Sequence, residues 1–292
     1  MTNASEIARL DREAVREAKA FMGETAWPTM LFGLVIVVGY AATFWAVAEG
    51  ELGLVAGFFI NGLLVYGSYT VLHETVHGNV SGFGQPPQWY NELFGYLSGF
   101  IMAIPLSVHR VNHLTHHRKT NDPEADPDMV MAIHGRPGLF SVFVASLRSI
   151  VKQYTFFLGP AWGRTTPSER RLAAAEMAVS VGVRVGLALA GYPMEVLVLT
   201  VLANLLGNFI IVAFFAVAVH NPNQEHGRYR DTSTILLSPS WLNRGVTWLW
   251  LWQNYHSVHH LFPRIPFYRY AQVFDRIDEI MTTRGAPIHR VG

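Results

Sequence analysis

The sequence predicts an all-α integral membrane protein. Four transmembrane helices form two hairpins, and a helical cap on one side gathers histidines. Three observations predict this. Half of the 292 residues are hydrophobic and only 15% are charged, whereas about a quarter of residues are charged in soluble domains. Apolar runs of membrane length occur in two close pairs. Most of the 13 histidines fall in clusters near the ends of those runs, and a soluble core has no reason to collect imidazoles.

The elements follow in order. Residues 1–27 hold Arg9, Arg12, Arg16 and Lys19 and read as a charged, amphipathic N-terminal arm. No apolar segment lies near the start, so no cleavable signal peptide is expected. Spans one and two cover about 28–48 and 52–72, joined by Glu49-Gly50-Glu51. The stretch Leu93–Leu106 contains Gly95, Gly99 and Pro105. It is too short to cross and suits a re-entrant or interfacial helix. Residues 139–158 mix apolar residues with Arg148 and Lys152 and suit an interfacial helix. Spans three and four cover about 172–190 and 194–219, joined by Gly191-Tyr192-Pro193. Glu176 and Arg184 interrupt span three. A charge there is costly, so each should face the bundle or an edge. Asn204 and Asn208, four apart on span four, make a polar stripe expected to point inward. The whole of 1–292 reads as one domain.

Charge sets the topology. Neither hairpin link holds Lys or Arg, and every such residue except Arg184 lies in the N-terminal arm, the long middle loop or the C-terminal third. The positive-inside rule makes those parts cytoplasmic, with both termini on that side of what reads as a bacterial inner membrane. His73, His77, His113, His116, His117, His220, His256, His259 and His260 then share one face. Net charge is +1, so no nucleic-acid partner is implied. Cysteine is absent, which excludes thiolate ligands and nucleophiles, so any metal must be held by nitrogen and oxygen.

His73 and His77 are four apart at a helix end, on one face. His113-Leu114-Thr115-His116-His117 and His256-Ser257-Val258-His259-His260 each supply one imidazole a turn from an adjacent pair. An adjacent pair cannot share a helical face, so it can serve two metals. These clusters give more nitrogens than the about four to six positions around one ion, so two metals is the economical count. Iron, copper, nickel or zinc suit neutral imidazoles. His220, at the inner end of span four, joins the ligand set. His109, His134, His226 and His289 read as surface or supporting residues. The string His73-Glu74-Thr75-Val76-His77 also matches a zinc-protease signature with Glu74 as general base, but three ligands and a water would leave most of the clustered histidines unused. A structural zinc or heme bundle meets the same objection.

Three histidine boxes in this order, over about residues 70–272, resemble the membrane fatty-acid desaturase and hydroxylase superfamily. Residues 253–270, QNYHSVHHLFPRIPFYRY, resemble its third box and flank. Residues 113–128, HLTHHRKTNDPEADPD, are most similar to the β-carotene hydroxylase branch, as is His220-Asn221-Pro222 with Arg228 and Arg230 after it. Asn221 departs from that branch's Arg, and Glu74 stands where the superfamily more often has Asp.

The resemblance implies that the nine clustered histidines hold two non-heme irons. It also implies O₂ as co-substrate and oxidation of a C–H bond in a lipophilic substrate. Ring hydroxylation of a carotenoid is the first expectation; fatty-acyl desaturation or fatty-acid or alkane hydroxylation is the alternative. Asp122, Glu124, Asp126, Asp128, Glu74 and Asn254 are expected to orient imidazoles, although the acidic Pro-rich run also suits a solvated turn. Phe58, Phe59, Tyr66 and Tyr69 are expected to line the substrate cavity, and Trp241, Trp248, Trp250 and Trp252 to anchor the third-box segment at the interface. No flavin, nicotinamide or heme segment is evident, so electrons are expected from a ferredoxin-like or reductase partner on the basic face.

Overall fold

The computed structural model describes residues 4–82, 85–86, 88–221 and 225–292. Pro222, part of the segment after span four, lies outside the described residues. Among the described residues, four helices are long and apolar enough to cross a membrane: α2 (Trp27–Ala48), α3 (Leu54–Val76), α7 (Pro167–Leu189) and α8 (Pro193–His220). The hairpins are those expected, with shifted ends. α3 runs on to Val76, so His73 lies within it and His77 caps it. α7 starts at Pro167, where Thr166 accepts from the Glu169 N–H and Glu169 returns the bond, a reciprocal cap that charge-free runs do not reveal.

The bundle is apolar outside as well as inside. α2 exposes Trp27, Leu31, Leu34, Val35, Val38 and Trp45, while Ile36, Tyr40 and Phe44 are buried. Such a surface fits lipid rather than water. α3 and α8 touch backbone to backbone: a Cβ on Gly207 would lie 2.8 Å from the Gly62 carbonyl. Small residues at such crossings allow dense packing where water supplies no driving force. The expected polar stripe points inward. Asn208 Nδ2 donates to the Ser146 carbonyl at 2.8 Å, and Asn204 Nδ2 to that of Ile101 at 2.9 Å.

The short apolar stretch is a broken element. α4 (Trp89–Met102) and α5 (Leu106–Lys119) meet at 96°. The turn uses Ala103 at φ 54° and Pro105, whose fixed φ suits the start of a helix and stops the preceding one. α6 (Leu139–Leu158) buries Val142, Ala145, Ser146 and Ser149 and exposes Leu139, Phe140, Phe143 and Val151, as an interfacial helix does.

The cap beyond the bundle comprises α1 (Ala4–Lys19), α9 (Ser240–Leu249), α10 (His256–Leu261) and α11 (Tyr270–Thr283). Leu10, Ala14 and Ala18 of α1 share a core with Val258, Leu261, Tyr270, Phe274 and Ile277, so the N-terminal arm braces the third histidine box. One addition was not expected. β1 (Thr234–Leu237) pairs in parallel with β2 (Ile288–Val291), Thr234 opposite Ile288. Four-residue strands are too short for a legible alternation. Trp241 and Trp248 are exposed, as interfacial anchors are. Trp250 instead donates to the Phe214 carbonyl at 3.0 Å, and Trp252 packs on Phe267 and Trp248.

Candidate metal centre

Each histidine owes its place to a helix end. α3 delivers His73 and His77 one turn apart. α5 carries His109, His113, His116 and His117, α8 ends on His220, and α10 holds His256, His259 and His260. The structure brings nine of them together. One nitrogen each of His73, His77, His113, His117 and His259 lies within 4.8 Å of all the others, as does one each of His116, His220 and His260. His256 Nε2 joins the second group, 3.0 Å from His220 Nε2. Each adjacent pair divides: His117 and His259 face one group, His116 and His260 the other. A step of 100° per residue on a helix makes neighbours diverge in this way.

These nitrogens converge at ligand spacing. Nε2 atoms stand 3.0 Å apart in His73–His259, His77–His113 and His113–His117, and 2.9 Å apart in His117–His259. Two nitrogens about 2.1 Å from one ion, at a right angle, lie about 3.0 Å apart. A neutral imidazole has a single N–H; with that of His259 at Nδ1, 2.9 Å from Tyr270 Oη, its Nε2 lone pair faces the nitrogens of His73 and His117. The residues present therefore fit metal ions.

Electrostatics separates the groups. Burial, then the neighbouring imidazoles, holds His113, His117 and His259 well below the ordinary histidine range, and burial lowers His77 to about 3. These rings are neutral, the form that binds metal. In the second group burial holds His256 and His260 down too. His116 differs. Burial works against its proton, yet Asp126 and Asp128 outweigh burial and push it up to about 9. Burial and the neighbouring Asp126 in turn push Asp128 up to about 6, against the pull of His116.

The supporting residues are only partly those expected. His116 Nδ1 donates to Asp126 Oδ1 at 2.9 Å and stands 3.6 Å from Asp128 Oδ2. Asp126 is itself fixed by the Asn121 and Asp128 N–H groups, both at 2.9 Å. Asp122, Asn254 and Glu74 bind backbone groups instead. Asp122 accepts from the N–H groups of Glu124 and Ala125, a turn in which Glu124 is exposed. Asn254 donates to Thr247 Oγ1 and the Ile235 carbonyl. Glu74 accepts from Asn79 Nδ2 at 3.0 Å and the Phe267 N–H at 3.2 Å. It ties the first box to the segment after the third, so both carboxylate oxygens are engaged where the protease reading needs a free general base. Sequence reasoning missed Tyr270 on His259, Gln253 on His256 Nδ1 at 2.8 Å and Thr120 beside His260 Nδ1 at 3.5 Å. Only Gln253 left a signal, one turn before His256 on the same face. His134, His226 and His289 are exposed. His109 is buried and stacks on His113 with centroids 5.3 Å apart.

Comparison with known proteins places this geometry. The fatty acid desaturase family profile matches residues 51–292. The chain belongs to the fatty acid desaturase family. An acyl-lipid (8-3)-desaturase of Thraustochytrium sp is 24% identical, with 96% of this chain and 70% of that protein aligned. An sn-1 oleoyl-lipid 12-desaturase of Picosynechococcus sp. is 31% identical over 101 residues, 35% of this chain and 27% of that protein. A sphingolipid delta(4)-desaturase of Drosophila melanogaster is 22% identical over 75% of this chain and 64% of that protein. The chain thus spans less than two thirds of the last two. All three are named for desaturation, so the comparisons support the desaturase alternative better than the first expectation of ring hydroxylation. The shared family supports an oxidoreductase enzyme, and the four apolar helices a membrane protein.

Two cavities frame the site of this desaturase-family chain. A narrow one of about 60 Å³ reaches His109, His113, His116, His220 and His256 past Tyr69, Ile211, Val212 and Phe215. It shares Met102, Ile104 and Asn208 with a second, of about 220 Å³, between α3, α6, α7 and α8. Of the four aromatic residues expected there, only Tyr69 lines the first cavity. Phe59 is exposed outside the bundle beside Phe58, and Tyr66 donates to the Leu249 carbonyl at 3.0 Å. On the opposite side, a polar cleft of about 380 Å³ reaches His77 past Asn91, Glu92, Arg110 and Arg264.

Proposed function

We propose that this chain is a di-iron desaturase that introduces a double bond into the acyl chain of a membrane lipid, with O₂ as co-substrate. His73, His77, His113, His117 and His259 hold one iron, and His116, His220, His256 and His260 the other. The observation that carries this is the convergence of two sets of imidazole nitrogens at ligand spacing beside a cavity walled on one side by Ile211, Val212 and Phe215. When bound, iron supplies O₂-dependent oxidation of an unactivated C–H bond, which no side chain can perform. The rest is the work of the chain. Asp126, Gln253 and Tyr270 hold imidazole Nδ1–H groups so that Nε2 faces inward. Ile211, Val212 and Phe215 keep water from the acyl chain.

The cavities support a linear substrate. Their lining on α8 follows one helical face from Thr200 to His220, about 30 Å at about 1.5 Å per residue. Desaturation removes two hydrogens from –CH₂–CH₂–; with O₂, two electrons and two protons the products are –CH=CH– and two waters. The electrons come from a separate ferredoxin-like or reductase protein docking on the basic face, which the positive-inside rule makes cytoplasmic together with both termini. Residues 1–292 act as one domain.

Expression in a bacterial host, followed by analysis of lipid acyl chains, tests this. The proposal expects new double bonds. A β-carotene-producing host that gains polar xanthophylls and no new unsaturation would overturn it in favour of ring hydroxylation.

A further inference from the structure

The two charges inside span three have unlike partners, and both partners lie at the break between α4 and α5. A helix break leaves C=O groups on one side and N–H groups on the other without partners, and within a bilayer no water replaces them. Arg184 Nη2 donates to the carbonyls of Phe100 at 2.9 Å and Ile101 at 3.2 Å. Asn204 adds a bond to Ile101, and Tyr154 Oη donates to the Ala103 carbonyl. On the other side the Glu176 carboxylate accepts from the N–H of Leu106 at 2.6 Å, the N–H of Ser107 at 3.3 Å and Ser107 Oγ at 2.6 Å. The cation thus sits at a helix C-terminus and the anion at an N-terminus, each opposite in sign to the helix end it meets. The break itself is tight: a Cβ on Gly99 would lie 2.7 Å from the Ile104 carbonyl.

α5 is one unbroken helix from this anchor to the second histidine box. His113 lies about 10 Å and His117 about 16 Å along the axis from Leu106, at about 1.5 Å per residue. A shift of the first turn is therefore carried to three imidazoles, two facing one group and one the other. Boxes one and three sit on other elements and would not follow.

We propose that Glu176 is a positioning residue for the metal centre: from within span three it sets where α5 begins, and so the placement of His113, His116 and His117 against the other boxes. Shortening this anchor by one carbon–carbon bond draws the helix back by about 1.5 Å, beyond the about 0.5 Å that a functional constellation tolerates. A carboxylate that merely stabilised the fold would alter the amount of folded protein and not the ligand field of that protein.

This inference rests on the reading of the nine histidines as ligands, and the test keeps the two apart. Purified full-length wild-type protein, Glu176→Asp, Glu176→Gln and Ser107→Ala are loaded with Co²⁺, and the visible spectrum and the uptake affinity are recorded beside thermal unfolding. The Asp variant should show a displaced spectrum at full loading and about tenfold weaker uptake. The Gln variant keeps the length and one acceptor oxygen but turns an amide N–H toward a backbone N–H of this anchor, so it should unfold earlier while its spectrum stays closer to wild type than that of Asp. Ser107→Ala loosens the same anchor more mildly, so it should shift the spectrum in the same direction by less, and it supplies a folded variant if Asp does not. A wild-type spectrum in both Asp and Ser107→Ala proteins overturns the proposal, as does a Gln variant displaced as far as Asp. Wild-type protein that takes up no Co²⁺ defeats the ligand reading instead.

Discussion

The two histidine groups are neighbours on the same helices, yet they face different media. The five-histidine group is built from neutral imidazoles and meets a polar cleft at His77. The four-histidine group has a carboxylate behind His116 and lines the narrow cavity with His116, His220 and His256, where His113 alone of the five joins it. One side of the centre reaches a cleft with Asn91, Glu92, Arg110 and Arg264, and the other a narrow cavity walled by Tyr69, Ile211, Val212 and Phe215. The difference teaches that α5 and α10 each serve both sides because adjacent histidines diverge by 100°. The sides are then tuned separately by what lies behind each ring.

The largest expected effect breaks the comparison at its ligands. His259→Ala or His116→Ala should each abolish desaturation while the protein still inserts. Metal analysis should find the ion missing from the five-histidine group in the first and from the four-histidine group in the second.

pH should separate the groups next. His116, pushed up to about 9, carries a proton at neutral pH that a metal must displace. Uptake by the second group should therefore weaken about tenfold per unit as pH falls below about 9. The first group, with His77 near 3 and its other cap rings well below the ordinary range, should show no such slope between about pH 6 and 8. Asp126→Asn should flatten the slope of the second group and weaken its uptake about tenfold or more. Competition titrations with a chelator at several pH values check both.

Tyr270→Phe removes the hydrogen-bond partner behind His259 and should weaken only the first group, by about tenfold. Glu74→Gln is the smallest effect. It keeps an oxygen for Asn79 but turns an amide N–H toward the Phe267 N–H, a mismatch costing about 1–3 kcal/mol of stability. Unfolding should come earlier while turnover is only reduced. Activity as dead as in the histidine variants would revive the protease reading.

Much of this fold was legible because membranes make sequence simple: charge-free runs mark spans, and Lys and Arg mark one side. The gathering of His73, His220 and His256–His260 at one end follows from four crossings. The division of His116 from His117 follows from helix geometry alone. What stands behind the rings was less legible. Four acids crowd 122–128, and only Asp126 is aimed by its turn at an imidazole nitrogen. Tyr270 and Thr120 are ordinary residues whose role appears only when distant segments meet. Glu176 and Arg184 were legible as misplaced charges; their partners, backbone groups at a helix break, leave no mark in sequence. The substrate branch was the least legible, because flanking residues near a shared metal site report the common chemistry more than the ligand.

Iron analysis of the purified protein tests the central claim most directly. Two irons per chain in the intact protein, falling to one in His259→Ala, is the predicted result. One tightly held zinc and no iron would contradict it.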